Sequence, residues 1–365
     1  MKEQIICSFF GLGLIGGSLA KAIREHNPSV IIKAYDKDER SLVMAVNEGI
    51  VNESFTALTS AFGQCDYLFL CAPVSSNLEQ LHTLSLLAAK HTLLSDVGSV
   101  KGPIHQRIHK LGLEDRFIGG HPMTGSERFG YANSHAALLE NAYYVLTPEK
   151  KVPSEKVEEF TRFIQRTGAI PYLLDVDSHD QATAAISHLP HLVASSLVNL
   201  VREGDDEQAT LKTLAAGGFK DITRIASSSA ALWQQICMEN KDSILHFLGL
   251  YLDRLTVLNQ KLREGDSQYL YHFFEEARIY RESFLDNRSG PLMKQYVLNL
   301  DIPDKTGAIA TVAALLASHS INIKNMGIVH NREFQEGALR MELYSSDEYE
   351  KAVAILEESG YSVHT

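Results

Sequence analysis

Residues 5–10 form an apolar run of strand length that leads directly into Gly11-x-Gly13-x-x-Gly16, and residues 18–24 then follow a helical pattern. A second apolar run over 30–35 ends in Asp36. Helical patterning over 39–48, a buried-strand pattern over 67–72 stopped by Pro73, a helix over 78–90 and a strand over 92–96 come next. This alternation predicts an α/β, Rossmann-type, doubly wound parallel sheet, extended by strand runs at 117–119, 143–147 and 170–174. From about residue 177 strand patterns vanish and helical periodicity holds until about residue 285. There Leu245, Leu248, Leu252, Leu255, Leu258 and Leu262 step by three and four, which predicts one buried stripe on a long helix packed on its neighbours or on a second subunit. Residues 286–291 read as a linker. Beyond them Tyr296, Leu298, Leu300 and Ile302 alternate as a strand, and helix 308–318, strands 321–329 and 338–344, helix 348–359 and a short last strand complete a ferredoxin-like βαββαβ order.

A glycine pattern held between a strand and a helix is the setting in which it binds a dinucleotide. Gly11 permits the turn, Gly13 lets backbone approach a pyrophosphate, and Gly16 lets helix and strand pack closely. Leu12, Leu14 and Ile15 complete a loop whose helix N-terminus offers N–H groups to phosphate. Asp36, about twenty residues on, is placed to accept ribose hydroxyls and to repel a 2′-phosphate, which favours NAD over NADP. Ligands in such sheets sit beyond the strand C-termini. The loops there are 72–75, with Ala72 and Pro73, then 96–101 and 120–127.

His121, just before Pro122 at a strand end, suits a neutral imidazole that accepts a hydroxyl proton from a carbon losing hydride, and Ser99 at the neighbouring strand end can share that hydrogen bond. An unperturbed imidazole would place the acid fall of activity near about 6.5. In the helical half, Ser187-His188-Leu189-Pro190-His191 offers His191 as a hydrogen-bond partner for substrate, with His188 structural. No metal is expected, because partners at ligand spacing are missing. In Gly217-Gly-Phe-Lys-Asp221-Ile-Thr-Arg224, Gly217 allows close backbone approach. Arg224 is a fork-shaped donor for either a substrate carboxylate or Asp221.

With 365 residues there is room for two or three domains, and an apolar fraction of 45% with 22% charged residues is that of a globular protein. The net charge of −11 argues against a nucleic-acid surface and means that an anionic substrate needs a local basic pocket. The four cysteines are scattered, with no CxxC pair. No uninterrupted apolar stretch of about eighteen residues occurs, so the expectation is a cytoplasmic protein without a membrane span.

Gly11-x-Gly13-x-x-Gly16, Asp96-Val-Gly-Ser99-Val-Lys101, Gly120-His121-Pro122-x-x-Gly125-Ser126-Glu127, Ser187-His-Leu-Pro-His191 and Gly217-Gly-Phe-x-Asp221-x-x-Arg224 occur in this order. Together they resemble the prephenate dehydrogenase family of tyrosine biosynthesis, over the whole chain. The last unit, with Asp304-Lys-Thr306-Gly307, resembles an ACT domain. The resemblance implies an NAD-binding domain over 1–175, a helical substrate and dimerisation domain over 176–287 and an ACT-like regulatory domain over 294–365. It implies NAD-dependent oxidative decarboxylation of prephenate to 4-hydroxyphenylpyruvate, a homodimer, and His121, Ser99, Arg224, His191, Gly217 and Asp221 in the site. An amino-acid effector such as tyrosine would bind near Asp304, Thr306, Gly307 and Asn325. Arogenate dehydrogenase is the nearest alternative, and a non-catalytic amino-acid sensor is one of a different class.

Overall fold

The apolar run that opens the chain becomes β1 (Ile6–Phe10), followed by β2 (Ile31–Tyr35), β3 (Glu53–Phe55), β4 (Tyr67–Leu70) and β5 (Leu93–Asp96). In the computed structural model these strands form a parallel sheet in the order β3-β2-β1-β4-β5. The order reverses between β1 and β4, the position where such sheets bind ligands. The structure describes residues 4–125, 128–283, 296–303, 305–329 and 337–364. It divides into two compact units, Met1–Glu264 and Gly265–Thr365.

β1 and β4 are almost wholly buried because helices cover both faces, and the polar Ser8 on β1 donates its hydroxyl to Phe62 O at 2.6 Å. On one face Phe9 stacks on Phe69 at 5.0 Å and Phe69 lies 6.0 Å from Phe160 of the helix Ser154–Gln165. Burying each such ring contributes about 1.5–3 kcal/mol. On the other face Phe10, Phe62 and Leu68 meet Leu81 and Leu84 of the helix Val74–Leu87 and Ile104 and Ile108 of the helix Gly102–Leu111. β3 is short and mostly exposed at the sheet edge, so the apolar pattern does not announce it.

The expected extension of the parallel sheet does not form. β6 (Ile118–Pro122), β7 (Tyr143–Pro148) and β8 (Ile170–Leu173) make a separate three-stranded sheet, in which β6 and β7 run antiparallel and β7 and β8 parallel. A parallel bridge from Leu94 to Phe117 links it to the first sheet. The described part of the β6–β7 connection holds only the short 3₁₀ turns Tyr131–Asn133 and Ala136–Leu138. Without a crossover helix, the chain returns antiparallel.

The helical half begins with Val176–Thr183, passes through a π turn at Ala184–His188 and continues as Leu189–Gly204. Pro190 has no N–H to give to the carbonyl four residues back, and the ladder widens just upstream of it. By length and composition alone, the run Val176–Gly204 could cross a membrane. In this fold its His179, Asp180 and His188 are buried inside the first unit. Gly217–Thr223, Ala230–Glu239 and the long helix Lys241–Glu264 follow. The leucine stripe on Lys241–Glu264 is not buried within one chain: Leu245, Leu252, Leu255 and Leu262 are 54%, 53%, 40% and 57% exposed. Among the described residues of the first unit nothing covers them.

In the second unit, the helix Ser267–Ser283 precedes β9 (Tyr296–Ile302), the helix Ala308–Ser318, β10 (Ile323–Val329), β11 (Gly337–Leu343), the helix Ser346–Glu358 and β12 (Val363–His364). The strands form an antiparallel sheet in the order β10-β11-β9-β12 around Leu298, Leu300, Val312, Leu316, Met341 and Leu356. The linker at 286–291 lies outside the described residues.

Candidate active site

The glycine loop sits at the β1/β4 switch. Gly11 has φ +97°, and a Cβ there would lie 2.5 Å from Ala72 N; one on Gly16 would meet Gly11 O at 2.6 Å. Gly13 precedes the helix Leu14–His26, and a Cβ on it would find no atom within 4 Å. That open space beside a helix N-terminus fits a dinucleotide pyrophosphate. Leu12 is buried, while Leu14 and Ile15 are half-buried. Asp36 Oδ2 accepts a hydrogen bond from Leu12 N at 2.6 Å and Oδ1 accepts from Asp38 N at 2.8 Å, which ties the loop to the end of β2. Each carboxylate oxygen keeps a further acceptor position for a ribose hydroxyl. Ala72 and Pro73 form the turn into Val74–Leu87, where the Asn77 amide donates to Ala72 O at 2.9 Å.

His121 lies on β6 and is half-buried. Its Nδ1 is 2.8 Å from His179 Nε2, and His179 Nδ1 is 2.7 Å from Asp180 Oδ1. Asp180 also accepts from Lys101 N and Gly102 N, both at 2.8 Å, at the start of the helix Gly102–Leu111. These partners assign every tautomer. The acceptor-only Asp180 requires a proton on His179 Nδ1, His179 Nε2 must therefore accept from His121 Nδ1–H, and a lone pair is left on His121 Nε2. His179 is wholly buried, so His121 is the accessible end of the pair.

Burial, with the charges of His179, Lys101 and His188, holds His121 well below the ordinary imidazole range, not at the value expected for an exposed ring. Burial alone would raise the Asp180 carboxyl, yet hydrogen bonds from His179, Lys101 N and Gly102 N leave it below the usual carboxylate range.

Asp96 joins the two strand ends that carry the expected chemistry. Its carboxylate accepts from Gly98 N at 2.9 Å, beside the half-buried Ser99, and from Gly120 N at 3.1 Å, beside His121. The Lys101 ammonium donates to Asp96 and, at 2.7 Å, to Gly120 O. Gly120 must be glycine, because a Cβ would lie 2.5 Å from Asp96 O and 2.8 Å from the Tyr144 ring.

In the helical half, His191 Nδ1 donates to Ser187 O at 2.9 Å, so Nε2 of the neutral ring is an acceptor. Burial and the nearby Arg224 charge lower its pKa. The ring stacks on Trp233 with centroids 3.6 Å apart, and Trp233 meets His188 edge-on at 5.9 Å. Burial pushes His188 down to about 4. The Asn240 amide lies 3.2 Å from His188 Nδ1 and donates to Asp180 O at 2.7 Å. His191, Trp233, His188, Asn240, Asp180, His179 and His121 thus form one connected series, with the Arg224 charge near its His191 end. Gly217 begins the helix Gly217–Thr223, and Asp221 is exposed on it with no ion pair among the described residues. No group of three or more His, Cys, Asp or Glu among the described residues is arranged to hold a metal ion. Ser126, Glu127 and Asp304 lie outside the described residues, while Thr306 and Asn325 are exposed and Gly307 caps the helix Ala308–Ser318 with φ +86°.

The sequence reading missed His179 and Asp180. A His-Asp pair four residues beyond Asp175, whose carboxylate caps the helix Val176–Thr183 through Ser178 N at 2.8 Å, is the signal that points to a buried first turn.

Residues 19–173 match the model of the prephenate dehydrogenase nucleotide-binding domain, and residues 175–276 that of the prephenate dehydrogenase dimerization domain. A prephenate dehydrogenase of Bacillus subtilis is 34% identical over 98% of this chain and 96% of its own length. The solved prephenate dehydrogenase of A. aeolicus in complex with hydroxyphenyl propionate and NAD+ is 30% identical with a TM-score of 0.73, over 78% of this chain and 99% of that one. A Synechocystis arogenate dehydrogenase is 28% identical with a TM-score of 0.69, over 77% and 100%.

Proposed function

The chain belongs to the prephenate dehydrogenase family, and we propose that His121, held as a neutral base, drives its NAD-dependent oxidative decarboxylation of prephenate to 4-hydroxyphenylpyruvate. The observation that carries this reading is the hydrogen-bonded order His121–His179–Asp180, which leaves the His121 Nε2 lone pair as the acceptor on the accessible side. When bound in the glycine cradle, NAD supplies the hydride acceptor. As hydride leaves the hydroxyl-bearing ring carbon, that hydroxyl becomes acidic, and His121 Nε2 takes its proton with Ser99 sharing the hydrogen bond. Loss of the ring carboxylate as carbon dioxide sends its electron pair into the ring, which becomes aromatic, and the proton held by His121 returns to the phenolate oxygen, so the reaction runs one way.

Prephenate carries two carboxylates. Arg224, which follows the C-terminus of Gly217–Thr223, offers a bidentate fork for one of them, with Asp221 on that helix. His191 Nε2 accepts when the ring is neutral and donates to a carboxylate only when protonated. The chain acts as a homodimer through its helical half, where the exposed leucines of Lys241–Glu264 meet a second copy. The βαββαβ unit serves as an ACT-like regulatory module, with tyrosine or a related amino acid bound near Thr306, Gly307 and Asn325. The protein is placed in the cytoplasm.

The test is absorbance at the reduced-nicotinamide band with purified protein, NAD and prephenate, with arogenate in parallel. A rise with prephenate is expected, and tyrosine titrated into the same cuvette should lower it. A rise with arogenate alone would transfer the chemistry to the substrate of the Synechocystis relative. No rise with either would refute the catalytic reading.

A further inference from the structure

In the motif Asp96-Val-Gly-Ser99-Val-Lys101 the two charged ends never reach the cleft: Asp96 is 2% and Lys101 0% exposed. Burying an ion pair carries a desolvation cost that an apolar pair of the same volume avoids. The contacts of this pair indicate its use. Lys101 touches all three parts of the proton-transfer site: its ammonium reaches Asp96, which anchors the Ser99 loop; the same ammonium reaches the carbonyl of Gly120, the residue before His121; and its backbone N–H holds Asp180, which orients His179.

We propose that Lys101 is a positioning residue for proton transfer: its ammonium clamps the His121 strand end to the Ser99 loop through Asp96 and Gly120 and sets a fixed positive charge beside the proton-transfer site, with the Asp96 carboxylate as its counter-charge. The proposal rests on His121 being the base. The groups facing His121 are His179 from the helix Val176–Thr183, His188 from the π turn and Lys101 from the start of Gly102–Leu111. Those facing Lys101 are Asp96, Asp180 and Glu239. Burial lowers the Lys101 ammonium from its ordinary value, and the adjoining Asp96 carboxylate opposes that fall. Removing the lysine charge takes a cation away and leaves an uncompensated anion, so a proton on His121 becomes easier to hold. Removing the Asp96 charge does the opposite. A merely structural brace has no reason to give opposite signs.

The experiment is the pH profile of kcat/KM for the full-length enzyme, together with ¹⁵N-histidine NMR titration of the protein without substrate, in which His121→Asn identifies the His121 resonance. Lys101→Met should move the acid limb and the His121 titration up by about one pH unit, and Asp96→Asn should move both down. The double variant, which buries no net charge, should return both to within about half a unit of the wild type. Should Lys101→Met fail to fold, Asp96→Asn against the double variant still reads the sign. Single variants that leave the limb in place, or move it in the same direction, overturn the proposal. A wild-type limb that does not track the His121 resonance overturns the base assignment itself; one that tracks it but ignores Lys101 and Asp96 overturns only the role of the pair.

Discussion

Asp180→Asn isolates the part of the site that sets proton positions. The carboxylate accepts three N–H groups, from His179 Nδ1 and Lys101 N at Oδ1 and from Gly102 N at Oδ2. An asparagine has one acceptor oxygen and one NH₂, so it cannot reproduce that set. With the oxygen toward His179, the NH₂ faces the Gly102 N–H, donor against donor. With the amide reversed, His179 Nδ1 meets a donor and its proton moves to Nε2. His121 must then accept at Nδ1 and carry its own proton on Nε2, where the substrate hydroxyl needs a lone pair.

Either arrangement loses a buried hydrogen bond, from Gly102 N in the first and from Lys101 N in the second, at about 1–3 kcal/mol. Either one loses a negative charge at a helix N-terminus, worth about 0.3–2 kcal/mol. A destabilisation of about 2–4 kcal/mol is therefore expected in thermal or urea unfolding. With the amide reversed, turnover at saturating NAD and prephenate should fall by about 10²–10⁴, the size of a lost general base. The dissociation constant for NAD, measured by calorimetry without substrate, should hold, because Asp180 does not touch the glycine loop. Turnover within about threefold of the wild type in a variant whose ¹⁵N-histidine spectrum shows the His179 proton on Nε2 would refute the tautomer argument.

Other perturbations test the remaining parts. Because His121 is held well below the ordinary imidazole range, kcat/KM should stay flat as pH falls through about 6.5 and drop only at lower pH; an acid limb at or above that value contradicts the burial argument. For the same group the unfolded chain binds its proton first, so denaturation midpoints should decline as pH falls below about 6.5. Gly11→Ala puts a Cβ 2.5 Å from Ala72 N at a left-handed φ. It should weaken NAD binding at least about tenfold, equivalent to about 1.4 kcal/mol, and unchanged calorimetric affinity would count against the cradle. Leu245→Arg combined with Leu252→Arg should give a monomer in sedimentation velocity; a persistent dimer would place the interface elsewhere.

The parallel sheet and its glycine loop were legible because both rest on local rules: apolar runs of strand length, a helix period, and a turn that only glycine fits. What failed was set by tertiary context. Residues 117–119, 143–147 and 170–174 look like further parallel strands, but the link from Pro122 to Tyr143 has no crossover helix among its described residues, and the second reverses. His121 stood out by its place before Pro122. Its partners did not, since His179 lies 58 residues away and Asp180 is joined to Lys101 across 79. The leucine stripe on Lys241–Glu264 is legible as an apolar face that packs on neighbouring helices or on a second subunit; which of the two is not legible, because the period reports a face and not what covers it.

Asn240 gives that exposed stripe a second consequence. Its amide holds the Asp180 carbonyl beside His188, and its own carbonyl accepts Ile244 N at 3.0 Å in the first turn of Lys241–Glu264. The helix that needs a partner and the residue that steadies the proton-transfer series are thus mechanically continuous. With the stripe as the proposed dimer contact, each tenfold dilution costs the association about 1.4 kcal/mol. Dilution through the dissociation constant is then expected to lower specific activity without any ligand, and a specific activity that stays constant across that range would uncouple the stripe from the chemistry.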